Sequence, residues 1–152
     1  MSPTNEEVVR RFYEAWARDD VPGPVELLAA DVEYVNPPGA VEPGTRRGFD
    51  AFIEAARKLF EAWEYWRAEV DRLESVGEQV VAVVRYAARG RGSGMEVEGS
   101  ESALWTLRDG KVTRYEWFQG EGDAARAATR RGTAAPRPAS PRPRPGAGSR
   151  PG

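Results

Sequence analysis

The chain has 152 residues, a formal net charge of −2, and neither cysteine nor histidine. These absences exclude disulfides and thiolate chemistry and argue against a zinc site. Acid–base chemistry is left to a shifted carboxylate, a tyrosine or a lysine, and we expect no metal and no cofactor. The length predicts one domain with its own core.

The N-terminus lacks the apolar core of a signal peptide, and no stretch approaches the ~18 apolar residues that span a bilayer. We therefore expect a cytoplasmic protein with no membrane contact. Arginine outnumbers lysine twenty to two, with abundant alanine, glycine and proline. This bias is typical of a GC-rich bacterial genome.

Helical patterns dominate the first part of the chain. Thr4 and Glu7 form a capping-box pattern, and apolar residues at helical spacing continue that helix through Ala17. The elements that follow are a short helix at 24–29, a strand at 31–36, a loop at 37–48 and an amphipathic helix at 49–63.

After residue 63 the hydrophobic period changes to two, which predicts strands. We place them at 66–76, 79–89, 95–108 and 111–119, with hairpin turns at 90–94 and 108–111. The predicted fold is α+β, with three N-terminal helices packed on the concave face of a curved antiparallel sheet. Apolar side chains on both faces of 80–87 suggest that the outer face is also covered, and we expect a homodimer.

From about Asp123 the pattern becomes irregular. We therefore predict one domain over 1–128 and a disordered Arg/Pro/Ala/Gly-rich tail over 129–152. Residues 1–123 carry 15 basic and 24 acidic side chains, a net charge of −9, whereas 124–152 carry seven arginines and no acid. Such a tail either recruits an acidic or aromatic-grooved partner or is a GC-biased extension, and we do not expect it to bind nucleic acid.

The order of elements resembles the SnoaL-like branch of the nuclear-transport-factor-2-like superfamily over about residues 5–128. The segments that carry the resemblance are LLAADVEYVNPPG, GTRRGFDAFIEAARKLF, ARGRGSGMEVEGSESALWTLRDGKVTRYEWF and DAARAA. It implies a cone-shaped fold, often dimeric, that encloses a mostly apolar pocket. Members include ketosteroid isomerases, polyketide cyclases and limonene epoxide hydrolases, so the fold does not decide function.

The resemblance also shows which catalytic groups are missing. The base and the two oxyanion-hole residues of the ketosteroid isomerases fall on Asn36, Phe12 and Ala103, and none of these side chains can replace them. The last-strand acid of the cyclases and epoxide hydrolases falls on or near Trp117, and a further epoxide-hydrolase acid falls on Ala87. Steroid-isomerase chemistry is therefore not expected.

Four polar residues are the candidate catalytic groups. Tyr34 and Asn36 match a Tyr-x-Asn of the epoxide hydrolases that helps to position water; otherwise they are a core tyrosine and a turn cap. Arg85 matches the pocket arginine of that family, with Glu101 as a partner, or else it faces solvent. In an apolar cavity Glu101 would have a raised pKa and carry a proton.

Bulky or apolar residues are the candidate pocket lining, although most of them also suit an ordinary core. They are Phe12, Trp16, Phe52, Phe60, Met95, Ala103, Trp105, Tyr115 and Trp117. Arg46 and Arg47 either meet an anionic substrate at the pocket mouth or form a solvated loop pair.

Two functional hypotheses follow. The first is a small-molecule-binding domain for a hydrophobic ligand, with cofactor-free isomerase, cyclase or hydrolase chemistry on a carbonyl or epoxide compound if it is an enzyme. The alternative is a non-catalytic dimeric module whose pocket is filled by its own aromatic residues and whose basic tail recruits partners.

Overall fold

Six strands form one sheet in this computed structural model, which describes residues 3–133, with side-chain surroundings for 3–130. The elements in chain order are α1 (Asn5–Ala17), a 3₁₀ turn (Val25–Leu27), β1 (Leu28–Asn36), β2 (Gly44–Arg47), α2 (Phe49–Glu61), β3 (Trp63–Val76), β4 (Gln79–Gly90), β5 (Glu96–Arg108), β6 (Lys111–Phe118) and α3 (Asp123–Thr133).

The strand order across the sheet is β2-β1-β6-β5-β4-β3. Four neighbouring pairs are antiparallel, whereas β1 and β6 run parallel, so the sheet is mixed at this one place. In the parallel pair the C-terminal ends of β1 and β6 lie side by side, with Tyr34 opposite Tyr115. The α+β prediction and its four later strands are confirmed.

Three elements differ from the sequence prediction. The expected helix at 24–29 is a single 3₁₀ turn, and the expected loop at 37–48 contains the edge strand β2. The third α-helix is α3, in the region where the apolar pattern seemed irregular. Its residues are mostly alanine and arginine, which favour helix by backbone propensity and leave little periodic apolar signal. The predicted tail at 129–152 thus begins inside α3, and residues 134–152 lie outside the described part.

Local chemistry explains the element ends that were predicted correctly. The Thr4 hydroxyl accepts from the Glu7 amide at 3.1 Å and the Glu7 carboxylate accepts from the Thr4 amide at 2.8 Å, so the capping box is formed. Asp109 and Gly110 have φ values of 54° and 78°, the pair of positive angles that a tight two-residue hairpin requires.

The two faces of the sheet are covered by different helices. The inner face carries Tyr34, Trp105 and Tyr115 and is covered by α1 and α2. On the outer face, Val81 and Leu104 pack against alanines of α3. The chain's own helix therefore covers part of the outer face of β4, which removes that argument for a dimer. The homodimer stays a prediction.

None of the helices within residues 3–133 is long and apolar enough to cross a membrane.

Candidate functional site

Aromatic side chains fill the inside of the cone, where the sequence interpretation expected an enclosed pocket. Neighbouring ring centroids lie 4.5–6.3 Å apart, mostly in tilted or edge-to-face geometry. We call this set the aromatic cluster; its members are Phe12, Tyr13, Trp16, Tyr34, Phe52, Phe60, Trp66, Trp105 and Tyr115. Six predicted lining residues therefore contact one another, and Ala103 is also buried.

Two indole groups of the cluster donate hydrogen bonds to partners inside the fold. The Trp105 indole donates to the Tyr13 hydroxyl at 3.2 Å, and the Trp16 indole donates to the Pro22 carbonyl at 2.9 Å. A Cβ on Gly23 would lie 3.0 Å from the Phe12 ring, so the chain packs closely against the cluster here. This part of the interior is a packed core.

Two predicted site residues lie away from the interior. Met95 is 66% exposed, in the turn between β4 and β5. Arg85 pairs with Ser100 in the sheet, and Glu101 pairs with Val84, so strand alternation places Arg85 and Glu101 on opposite faces. The Arg85 guanidinium instead lies 2.8 Å from Glu69 and 3.8 Å from Asp71, with 61% of its side chain exposed. The expected Arg85–Glu101 pair is not formed.

Glu101 is the one candidate acid that lies inside the cone. Among the side chains described for residues 3–130, none provides a donor or cation within bonding distance of its carboxylate. Burial raises its pKa from 4.5 to about 7. Burial also raises the pKa of Tyr34, and the Glu101 charge adds to that shift, so the phenol stays protonated. The carboxyl group therefore exchanges its proton near neutral pH beside a neutral phenol.

A cleft opens beyond the aromatic cluster, between α2, the end of the sheet and the loop 39–42. Its volume is about 660 Å³ and its walls are mainly apolar. We call it the α2 cleft; it is lined by Asn36, Gly39, Ala40, Val41, Glu42, Arg46, Ala51, Glu54, Ala55, Lys58, Leu59, Ala62, Trp63, Trp117 and Gln119.

One end of the α2 cleft is polar and held in place by hydrogen bonds. The Trp117 indole donates to the Asn36 side-chain oxygen at 2.6 Å. The Asn36 amide nitrogen in turn donates to the Glu42 carbonyl at 2.8 Å, which ties the loop to β1. Asn36 and Trp117 were predicted site residues, and both line the cleft.

Glu101 lies close to this polar end on the same face of the sheet. Trp117 pairs with Ala103, which is two residues from Glu101 and so shares its face. The Glu101 charge also raises the pKa of Tyr34. Tyr34 is two residues from Asn36 on β1, so these two side chains share a face as well. The carboxyl group is therefore on the face of the sheet that carries Asn36 and Trp117, although it is not itself among the residues that line the α2 cleft.

Most of the cleft lining was missed by sequence reasoning. The α2 wall consists of Ala51, Ala55, Leu59 and Ala62, spaced at helical intervals beside the larger stripe that packs on the cluster. This second stripe of mostly small apolar residues is the sequence feature from which the cleft wall could have been predicted. Trp63 and the loop 39–42 reach the cleft only through the tertiary fold.

The described residues contain no group of three acidic side chains placed to hold a metal ion.

A family model described as SnoaL-like domain matches residues 9–115, and no functionally curated protein matches the sequence. Among solved structures, the fold is similar to an NTF2-like protein of unknown function from Burkholderia pseudomallei, with 26% identity, a TM-score of 0.69, and coverage of 80% of this chain and 95% of the other. An NTF2-like protein from Burkholderia thailandensis is 27% identical, with a TM-score of 0.70 and coverage of 82% of this chain and 97% of the other. A putative SnoaL-like polyketide cyclase from Jannaschia has the same fold at 21% identity and a TM-score of 0.65, covering 87% and 93%.

Proposed function

Because the chain belongs to the SnoaL-like domain family, we propose that it binds a small, largely apolar molecule in the α2 cleft. The observation that supports this proposal is the cleft itself, which has apolar walls and a polar end fixed by the Asn36–Trp117 hydrogen bond. Ligand sites commonly combine such walls with a few fixed polar groups, and 660 Å³ lies in their usual range.

The polar end favours a ligand with a carbonyl oxygen. An amide nitrogen carries two hydrogens, and Asn36 uses one of them to hold the Glu42 carbonyl. The other hydrogen is suited to a ligand oxygen at this end of the cleft. The indole rings of Trp63 and Trp117 provide flat apolar surfaces for the rest of the molecule.

Fluorescence tests the proposal, since two tryptophans line the cleft. We expect a neutral aryl ketone such as 2-acetonaphthone to quench the emission with a saturable dependence on concentration. Ala51→Phe should weaken binding about tenfold or more, because the ring would occupy the space that the ligand needs. Ala125→Phe is the matched control, on the exposed side of α3. Equal affinity in both variants would show that the cleft is not the site.

A second candidate function, proton transfer on the bound ligand, is supported by Glu101. A carboxyl group with a pKa near 7 is well suited to remove and return a proton at neutral pH. The proposed reaction removes a proton from the carbon beside the ligand carbonyl. The enolate then regains a proton from the same carboxyl group. Proton removal and return cancel, so the reaction needs no cofactor.

Exchange of the ketone's methyl protons with deuterated solvent, followed by NMR, tests this second function. We expect the catalysed rate to rise with pH through about 7, because the base must be ionised. Glu101→Gln should lower the rate by roughly a hundredfold, whereas Glu98→Gln, at an exposed position of the same strand, should not. An unchanged rate in Glu101→Gln would exclude Glu101 as the proton carrier and leave the binding function intact.

The alternative hypothesis expects a pocket filled by the protein's own aromatic residues, and the packing of the aromatic cluster supports it. The α2 cleft lies outside that filled region, however, and offers room for a ligand. Recruitment of partners through the tail concerns residues mostly outside the described part, and it stays the rival hypothesis.

A further inference from the structure

Two cationic side chains meet in the α2 cleft and share one carboxylate. Glu42, on the loop between β1 and β2, lies 3.1 Å from the Arg46 guanidinium through one oxygen and 3.9 Å from the Lys58 ammonium through the other. Lys58 belongs to α2, so this contact joins the two walls of the cleft. The carboxylate therefore occupies a site formed by two cations from different elements.

The position of Arg46 does not depend on that carboxylate. Its Nη1 atom donates to the backbone carbonyls of Glu42, Pro43 and Gly44 at 3.0–3.4 Å. Its Nη2 atom makes the contact with the Glu42 carboxylate. The guanidinium is thus fixed by the backbone through one nitrogen and presents the other to a carboxylate.

The Glu42 carboxylate is held weakly enough to be exchanged. Its side chain is 53% exposed, and those of its partners Lys58 and Arg46 are 54% and 29% exposed. Ion pairs with this exposure contribute little to stability. An anion delivered by a ligand that also buries apolar surface would therefore displace Glu42 at small cost.

The remaining lining of the cleft suits the apolar part of such a ligand. Val41, the residue before Glu42, is 99% exposed on the rim and is a large apolar side chain with little protein contact. Glu54 also lines the cleft and opposes an anion. Once the Glu42 carboxylate has moved away, Arg46 and Lys58 face only the carboxylate of Glu54. The local charge then favours a ligand with one negative group over a ligand with two.

Resting on the proposed function, we infer that the ligand of the α2 cleft is an apolar molecule with a single carboxylate, which replaces Glu42 on Arg46 and Lys58. The sequence alone offers no reason to prefer Arg46 or Arg47 as the anion-binding residue, and the structure distinguishes them. Arg46 faces the cleft, whereas Arg47 pairs with Glu33 on the neighbouring strand.

Two probes of the same shape test the inference on the full chain: 2-naphthoate and its neutral analogue 2-naphthamide, titrated at neutral pH. We expect naphthoate to bind roughly threefold or more tightly than naphthamide. Lys58→Gln should weaken naphthoate binding about fivefold, and Glu42→Gln should strengthen it by a similar factor by removing the competing carboxylate. Both variants should change the affinity for naphthamide by a smaller factor than the affinity for naphthoate, because naphthamide carries no charge.

Arg57→Gln is the control, because it removes one charge from the next position of α2, outside the cleft. An anion attracted only by the arginine-rich C-terminal segment would respond equally to Lys58→Gln and Arg57→Gln, and this result would overturn the inference. So would equal affinity for the two probes, or no binding of either. Naphthamide binding that Ala51→Phe abolishes would still support the α2 cleft as a ligand site, so the two proposals fail separately.

Discussion

Glu101 is a carboxyl group inside the cone without a neutralising partner among the described residues. Its cross-strand partner on β4 is the buried, apolar Val84. Removing a carboxylate from water without a compensating donor disfavours the charged form. The raised pKa of Glu101 therefore has a cost in stability whenever the group is ionised.

This cost predicts how stability depends on pH. The folded-state pKa of about 7 lies above the usual 4.5, so folding favours the protonated form. The contribution of Glu101 is fully present below pH 4.5 and is lost as the pH rises through about 7. Glu101→Gln should therefore be more stable than the wild type at pH 8, by on the order of 2–3 kcal/mol, and should lose that advantage below pH 4.5.

Urea unfolding of both proteins across this pH range measures the difference. Glu98→Gln makes the same chemical change at an exposed position of β5 and should leave the pH dependence unchanged. A constant difference between Glu101→Gln and the wild type at all pH values would contradict the raised pKa.

At the scale of elements, α3 is attached to the sheet by one buried serine. The Ser102 hydroxyl donates to the Gly120 carbonyl at 2.6 Å and accepts from the Ala124 amide at 3.0 Å. Ser102 is fully buried, and Ala124, Ala127 and Ala128 pack beside it against the outer face. The hydroxyl thus supplies the partner of the buried Ala124 amide and a second donor to the Gly120 carbonyl, which also accepts from the Asp123 amide at 3.3 Å.

We predict that Ser102→Ala lowers the free energy of unfolding by about 2 kcal/mol, because it leaves the buried Ala124 amide unpaired and removes one of the two hydrogen bonds to the Gly120 carbonyl. Chemical denaturation measures this loss. Ser100→Ala, two residues earlier on the same face of β5, is the matched control and should cost less than about 0.5 kcal/mol. Equal effects of the two substitutions would show that the hydroxyl does not anchor α3.

At the scale of the whole molecule, stability and ligand binding are assigned to separate regions. The aromatic cluster connects α1, α2 and the centre of the sheet as one packed core. The α2 cleft lies between residues 36 and 119 and includes only the edge of that packing. Substitutions in the cleft lining should therefore alter binding more than folding.

This separation predicts that deleting residues 134–152 leaves the affinity for 2-acetonaphthone unchanged within about twofold, since no residue of the α2 cleft is removed. The same fluorescence titration measures it. The rival hypothesis instead expects the deletion to abolish binding of a partner protein. A large loss of ketone affinity on deletion would contradict the placement of the site.

The sequence alone determined the α+β class, the capping box of α1 and the tight turn at Asp109–Gly110. These features follow from local chemistry or from a period of two, which a single chain reveals directly. It also identified Asn36 and Trp117 as site candidates, through a resemblance and through strand alternation.

Tertiary structure alone decided what those side chains meet. Arg85 and Glu101 were predicted to form a pair, but the register between β4 and β5 places them on opposite faces. The aromatic residues predicted to line a pocket pack against one another across the cone, because their volumes are large enough for their rings to make contact. The open space lies beside the small residues of α2. Register and packing volume depend on contacts between distant parts of the chain, which periodicity does not encode.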